Sequence, residues 1–263
     1  MKINRVVKLF FSPTNATKQV VEAVAGALDA PKMLELNRTP FENRWSGAEL
    51  VEGDLAVIGV PVYYGRVPQI MTEFFRDITA KNIPAILVVT YGNRAYEDAL
   101  LELKDLSMAQ GFLPVAAAAF IGQHSFTDKM GTGRPNGEDL AQAAAFGAGA
   151  KALLEGCKDP HELTLHVPGN FPYQVGSDLP IAPTTDKAKC NGCMLCQKGC
   201  PVQAINPLDP AEIDPWRCLD CAKCIRNCPK GAKSLAVPAL QEKIIIMEAR
   251  FADPKQPETF LAQ

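Results

Sequence analysis

Eight of the chain's nine cysteines fall into two copies of one spacing, C-x2-C-x2-C-x3-C-P. The first copy is Cys190, Cys193, Cys196 and Cys200, followed by Pro201. The second is Cys218, Cys221, Cys224 and Cys228, followed by Pro229. Thiolates at two-residue gaps on a tight loop turn successive sulfurs inward around one corner of an iron–sulfur cubane, and the fourth cysteine, beyond the turn, serves the neighbouring cubane. The spacing therefore predicts two [4Fe–4S] clusters with crossed ligands. Cluster I takes Cys190, Cys193, Cys196 and Cys228, and cluster II takes Cys218, Cys221, Cys224 and Cys200. Structural zinc sites close a tetrahedron with two C-x2-C pairs and gain nothing from a third cysteine at the same gap. A disulfide framework would need an oxidising compartment. The first residues lead from a short charged start into the apolar run 6–11 and then a polar loop, without the long apolar stretch and cleavage site of a secretory leader. The expected location is cytoplasmic.

A two-cluster module needs roughly fifty residues, so a chain of 263 leaves about 180 for a separate domain with its own core. The expected division is 1–158 for that domain, 159–186 for a proline-rich strap with five prolines, 187–237 for the cluster domain and 238–263 for a C-terminal helix and tail. No run approaches the roughly eighteen apolar residues of a membrane span, and a formal charge of −2 gives no sign of a nucleic-acid partner. Residues 184–237 carry eight Lys/Arg against five Asp/Glu, a net +3 with cysteines counted neutral. Each oxidised cubane with its four thiolates is about −2, so these cations read as balance for buried cluster charge and as a docking rim.

Residues 1–155 alternate strand and helix signals. Apolar runs at 6–11, 33–36, 55–60, 85–90 and 113–120 are separated by helical patterns at 18–28, from Pro68 through Phe75, at 94–110 and at 138–155. Near-continuous apolar strands joined by helices predict a parallel sheet covered on both faces. A doubly wound sheet binds its ligands beyond the carboxyl ends of the strands, so the loops 12–17, 61–68, 91–97 and 121–137 are the places to inspect. In the first, Ser12, Thr14 and Thr17 together with free N–H groups at a helix start can form a phosphate nest, or serve as a plain helix cap. Neither G-x-G-x-x-G nor G-x-x-x-x-G-K-[ST] is present, which argues against a dinucleotide fingerprint and excludes a P-loop.

These loops carry a resemblance. Ser12-Pro13-Thr14-Asn15-Ala16-Thr17 resembles the S-x-T-G-N-T phosphate loop of flavodoxins. Pro61-Val62-Tyr63-Tyr64-Gly65-Arg66-Val67-Pro68 resembles the P-x-Y-x-G-x-x-P stretch beside the flavin in that wider class. Thr90-Tyr91-Gly92-Asn93-Arg94-Ala95-Tyr96 resembles the flavodoxin G-D-x-x-Y loop. With the cysteine runs, the chain is similar to flavodoxin–ferredoxin fusion proteins of anaerobic bacteria and archaea, loosely over 4–155 and tightly over 188–235. The resemblance implies a flavodoxin-like doubly wound five-stranded parallel sheet of order 2-1-3-4-5, a small α+β bacterial ferredoxin domain, and FMN. Ser12, Thr14 and Thr17 would then hold the FMN phosphate. Pro61, Val62, Tyr63, Tyr64, Gly65, Thr90, Tyr91, Gly92 and Asn93 would line the ring, and Tyr96 would stack on it. Asn15 stands where the family has glycine and tolerates left-handed backbone; Ala16 stands where the family has asparagine and removes one amide donor. Asn93 replaces an aspartate and removes a negative charge near the ring.

Each of these residues also has a plainer use: Tyr63 and Tyr64 as amphipathic surface residues, and Tyr96 as a helix-face residue packing on the core. His124, in the stretch after the fifth strand, can reach the flavin or a cluster edge, or be an ordinary loop histidine. Arg66 and Arg94 join it as groups able to stabilise an anionic flavin. Arg134 lies in a Gly- and Pro-punctuated loop, and Cys157 reads as a small half-buried hydrophobe. The helix at 240–251, with Ile244, Ile245, Met247 and Phe251 on one face, packs either on this chain or on a second copy, as a homodimer. A two-electron flavin beside two one-electron clusters is a converter. The functional expectation is electron transfer with an external low-potential carrier. The alternatives are a flavin-dependent reductase of a quinone or other small molecule, and a redox-sensing or docking protein with clusters but no flavin.

Overall fold

A computed structural model describes residues 2–176 and 180–263; positions 177–179 of the expected strap lie outside the described residues. In chain order the elements are β1 (Arg5–Phe10), α1 (Ala16–Gly26), β2 (Met33–Asn37), β3 (Ala48–Glu49), β4 (Asp54–Pro61), α2 (Ile70–Arg76), β5 (Ile78–Thr79), β6 (Ile83–Tyr91), α3 (Ala99–Ala109), β7 (Phe112–Ile121) and α4 (Gly137–Gly156). The cluster segment contributes β8 (Thr184–Thr185), α5 (Leu195–Lys198), α6 (Lys223–Arg226) and β9 (Lys233–Ser234), followed by α7 (Pro238–Arg250) and β10 (Glu258–Leu261). No helix among the described residues is long and apolar enough to cross a membrane.

The main sheet runs β2-β1-β4-β6-β7-β10, its first five strands parallel. Alternate residues of each strand face opposite sides, and this splits the core in two. Val7, Leu9, Ile58, Val60, Leu87 and Val89 pack toward α2 and α3. Val6, Phe10, Leu55, Val57, Ile86 and Val88 pack toward α1 and α4. Helix α1 lies so close to β4 that a Cβ on Gly59 would collide with Val21, which is why that strand carries glycine at its centre.

Three features depart from the expectation. The sheet has six strands rather than five, because β10 pairs antiparallel with β7, Glu258 opposite Ala119 and Leu261 opposite Ala116. Four residues of polar and apolar character give too little pattern to read as a strand, and their pairing is carried by backbone hydrogen bonds that cover an otherwise open edge. The third helix begins at Ala99 and not near Arg94, since Asn93 and Glu97 adopt left-handed backbone (φ 62° and 45°) and the chain turns before it coils. Helix α7 packs on this chain, one of its two expected partners, through Leu240 and Ile244, but Ile245, expected on the packed face, turns outward with Ile246, each 64% exposed. The strap is fastened along α3: the Asp98 carboxylate accepts from the N–H groups of Asn170 (2.8 Å) and Gln174 (2.7 Å), and Tyr173 Oη donates to Asp105 at 2.6 Å.

Candidate functional site

The loops following β1, β4, β6 and β7 converge on one cavity of about 230 Å³. It lies beyond the carboxyl ends of the strands, where the strand order reverses, as expected for a doubly wound sheet. Thr14, Ala16 and Thr17 border it at the start of α1. Asn15 there has φ 71°, a left-handed turn that asparagine accepts at low cost. It leaves the N–H groups of Thr14, Ala16 and Thr17 without an intrachain acceptor among the described residues. The three hydroxyls of the loop have separate uses. Ser12 Oγ caps the helix by accepting from Lys18 N–H at 3.0 Å, and Thr17 Oγ1 lies 2.6 Å from Thr90 Oγ1. Thr14 is left to the cavity.

The loop after β4 is a tight hairpin. Tyr63 and Arg66 exchange both backbone hydrogen bonds at 3.0 Å, and Tyr64 (φ 54°) and Gly65 (φ 76°) are both left-handed, as a two-residue type I′ turn demands. Pro61, Val62, Tyr63, Tyr64 and Gly65 all line the cavity. The next residue does not: Arg66 grips Glu102 with two bonds of 2.7 Å and donates to Gln174 O at 2.8 Å. Its expected role as an anion group in the site is replaced by a structural one.

From the end of β6, Thr90 and Tyr91 reach the cavity, and from the loops after β6 and β7, Gly92, Arg94 and His124. A Cβ on Gly92 would strike the His124 ring, so these two loops touch only because glycine stands there. Burial holds the His124 imidazole down at about 4, with Arg94 and Arg226 adding to the effect. Its Nδ1 accepts from Phe126 N–H at 3.1 Å, which leaves Nε2 of the neutral ring as the donor. Asn93 and Tyr96 stand outside the lining. Asn93 is buried, its Nδ2 donating to Phe251 O (2.9 Å) and Asp253 O (3.0 Å) while Oδ1 accepts from Lys255 N–H (3.0 Å). Tyr96 packs edge-on against Tyr91 at 5.4 Å and donates to Glu258 at 2.8 Å. Both therefore secure the returning C-terminal segment.

The remaining wall comes from residues that the loop motifs do not mark. Leu240, Lys243, Ile244 and Met247 of α7 cover one side, and Asp220, from between Cys218 and Cys221, closes another. Tyr64 Oη donates to Asp220 Oδ2 at 2.7 Å, while Asp220 Oδ1 is buried with no partner among the described residues. Burial pushes the Tyr63 phenol well above its ordinary value, and Cys221, Asp220 and Cys218 push it further. Tyr63, Tyr64 and Asp220 thus border the cavity and lie beside the second cysteine run. The apolar face expected for the helix at 240–251, Ile244, Ile245, Met247 and Phe251, was the legible signal for α7, and of these Ile244 and Met247 reach the cavity; nothing in the spacing singled out Asp220.

The eight thiols stand in two groups. Cys190, Cys193, Cys196 and Cys228 line one small cavity. Cys200 lies near Cys221 and Cys224 closely enough for its charge to raise both. Left-handed Met194 and Ala222 turn the chain inward after Cys193 and Cys221. Backbone N–H groups aim at the last thiol of each run: Ala204 at Cys200 Sγ and Ala232 at Cys228 Sγ, both at 3.3 Å. Around Cys228 burial is outweighed by such N–H donors, and its thiol is held below the ordinary value. Burial pushes Cys221 up to about 12 and Cys224 to about 11, so metal loading there must release protons. Among the described residues no group of three or more His, Cys, Asp or Glu is placed to hold a single metal ion. An all-thiol donor set in which Cys190, Cys193, Cys196 and Cys228 border one small cavity fits a cubane.

The 4Fe-4S dicluster domain family matches residues 189–232. An uncharacterised protein of Methanocaldococcus jannaschii is 39% identical over 51 residues, which cover 19% of this chain and 20% of that protein. The match thus spans about a fifth of the curated relative's length. Among solved structures, a flavodoxin from the domain Archaea aligns over 57% of this chain and 99% of its own at 10% identity, with a TM-score of 0.41. A Streptococcus pneumoniae TIGR4 flavodoxin aligns over 57% and 99% at 15% identity, TM-score 0.41. Rubredoxin oxygen:oxidoreductase of Desulfovibrio gigas aligns over 59% of this chain and 37% of its own at 12% identity, TM-score 0.41. The fold assignment rests on strand order rather than on these scores. The chain therefore joins a doubly wound α/β domain with flavodoxin-like strand order to a 4Fe-4S dicluster domain.

Proposed function

We propose that this protein is an electron-transfer iron–sulfur flavoprotein that couples FMN, bound in the cavity at the sheet's carboxyl edge, to two [4Fe–4S] clusters and an external one-electron carrier. The observation that carries the reading is the shared wall: Asp220 lies between two cluster cysteines, borders the cavity, and is tied by Tyr64 to the hairpin of the α/β domain. The donor set fits FMN at three points. Unpaired N–H groups at the start of an 11-residue helix suit a phosphate. The left-handed Tyr64–Gly65 turn and Gly92 bring bare backbone to the cavity, and buried Asp220 Oδ1 lacks a donor. When bound, FMN supplies one- and two-electron chemistry, whereas each cluster passes single electrons.

The chain's own residues divide the remaining work. Thr14 and the N–H groups of Ala16 and Thr17 hold the phosphate. Neutral His124 offers Nε2–H, and Leu240, Ile244 and Met247 exclude water from one side. Cluster II, on Cys218, Cys221, Cys224 and Cys200, is the one against Tyr63 and the cavity. Cluster I, on Cys190, Cys193, Cys196 and Cys228, is the one with an exposed ligand, Cys193. Exposed Lys230 borders the cavity of these four cysteines, and exposed Lys187, Lys189 and Lys198 lie close to them in the chain, cations suited to an acidic carrier. The test is to purify the chain anaerobically and count iron, sulfide and flavin on one sample. Eight irons with one FMN support the reading; eight irons without flavin would replace it with a cluster protein whose α/β domain docks or senses.

A further inference from the structure

The two halves of the cluster domain repeat position for position: Cys190 matches Cys218, Cys200 matches Cys228, and Ala204 matches Ala232. Their frames match too. Asp214 N–H donates to Ala204 O and Asp186 N–H to Ala232 O, both at 2.8 Å. The repeat breaks at the next residue. One half places Ile205 opposite Ile213, an apolar pair. The other places Lys233 opposite Thr185, and Lys233 is only 4% exposed.

A buried ammonium needs an anion, yet Lys233 has none among the described side chains. Its Nζ donates to two neutral oxygens, Thr185 Oγ1 at 2.7 Å and Pro210 O, leaving one of three N–H donors over. The residue borders the cavity lined by Cys190, Cys193, Cys196 and Cys228. The matching position near the other cluster holds Ile205, which has no charge to offer.

We propose that Lys233 is a fixed, buried counter-charge for the clusters, placed nearer cluster I, that raises the reduction potential of cluster I above that of cluster II. This rests on the two-cluster reading. Each one-electron reduction adds a negative charge beside the ammonium. Electrons leaving the cavity through cluster II are thereby drawn to the solvent-facing cluster, where a carrier can collect them.

The experiment is potentiometry of the intact, loaded chain followed by electron spin resonance, with iron and sulfide counted on every sample. Lys233→Gln keeps donors for Thr185 and Pro210 but removes the charge. It is expected to make cluster I at least tenfold harder to reduce, about 59 mV for a one-electron couple, with a smaller shift at cluster II. Unchanged potentials with all eight irons present would overturn the proposal. Should Lys233→Gln retain only four irons, Lys233→Arg decides: eight irons support a required charge, whereas four irons in both variants make the residue a matter of shape and refute it. A wild-type count below eight irons would strike the two-cluster reading itself and is separable from either result.

Discussion

Replacing Asn93 with aspartate tests the structural account of the C-terminal segment, because the two side chains have the same shape and opposite hydrogen-bonding capacity. Asn93 Nδ2 donates to Phe251 O and Asp253 O at 2.9 and 3.0 Å, while Oδ1 accepts from Lys255 N–H at 3.0 Å. At 2% exposed the amide has little water to substitute for these partners. An aspartate keeps the bond to Lys255 but sets an anionic oxygen against two carbonyl oxygens. Phe251 is half-buried and Asp253 exposed, so losing a donor to each carbonyl costs about 1 kcal/mol, near the low end for such losses, and the pair about 2 kcal/mol before repulsion is counted. A loss of about 2 kcal/mol alone corresponds to a roughly 30-fold increase in local opening. Hydrogen exchange read at the amides of β10, and at β7 where Ala116–Ala119 pair with it, should accelerate by at least that factor. Lowering the pH enough to protonate the new carboxyl should recover part of the protection, since one O–H donor returns. Asn93→Ala, which loses the same donors without adding charge, should lie between wild type and Asn93→Asp. Exchange in β10 unchanged by Asn93→Asp would mean that these bonds do not hold the segment, and would return Asn93 to the cavity as a candidate flavin contact.

Two further outcomes follow from the site. Cys200→Ala should abolish cluster II while leaving cluster I, and spin resonance showing the reverse would overturn the crossed ligation. His124 is held at about 4 by burial and by Arg94 and Arg226, below an unfolded value of about 6.5. The unfolded chain therefore binds the proton more readily, and the neutral ring contributes stability that is complete above about pH 6.5 and is lost as the pH falls toward 4. Imidazole resonances should titrate with a midpoint near 4, and His124→Gln should flatten the pH dependence of denaturant midpoints over that window. A His124 midpoint near 6.5 would contradict it.

What could be read from the sequence was what local chemistry dictates. The strands at 6–11, 55–60, 85–90 and 113–120 were legible because residues buried on both faces of a parallel sheet form continuous apolar runs. The cysteine runs were legible because cubane ligation demands close, repeated spacing. The cavity loops followed from where the strands end. Features that depend on where distant segments return were not legible. Asn93 and Tyr96 sit in a loop resembling a flavin-binding one, yet the segment 251–258 comes back to occupy them. Arg66 follows the cavity hairpin by one residue, but Glu102, three dozen positions later, draws it away. Asp220 is one of two residues between consecutive cysteines, and its contact with Tyr64 exists only because the two domains meet.

If the cavity and the clusters form one conduit, electrons pass between them within a molecule, and intramolecular kinetics separate that route from exchange between molecules. In the anaerobic, FMN-loaded protein, a light pulse in the presence of a sacrificial donor would reduce the flavin, and cluster absorbance would be followed over a range of protein concentrations. A single conduit requires a first-order phase of cluster reduction whose rate is independent of protein concentration. A rate that rises in proportion to protein concentration would mean that electrons travel between molecules, and would contradict it.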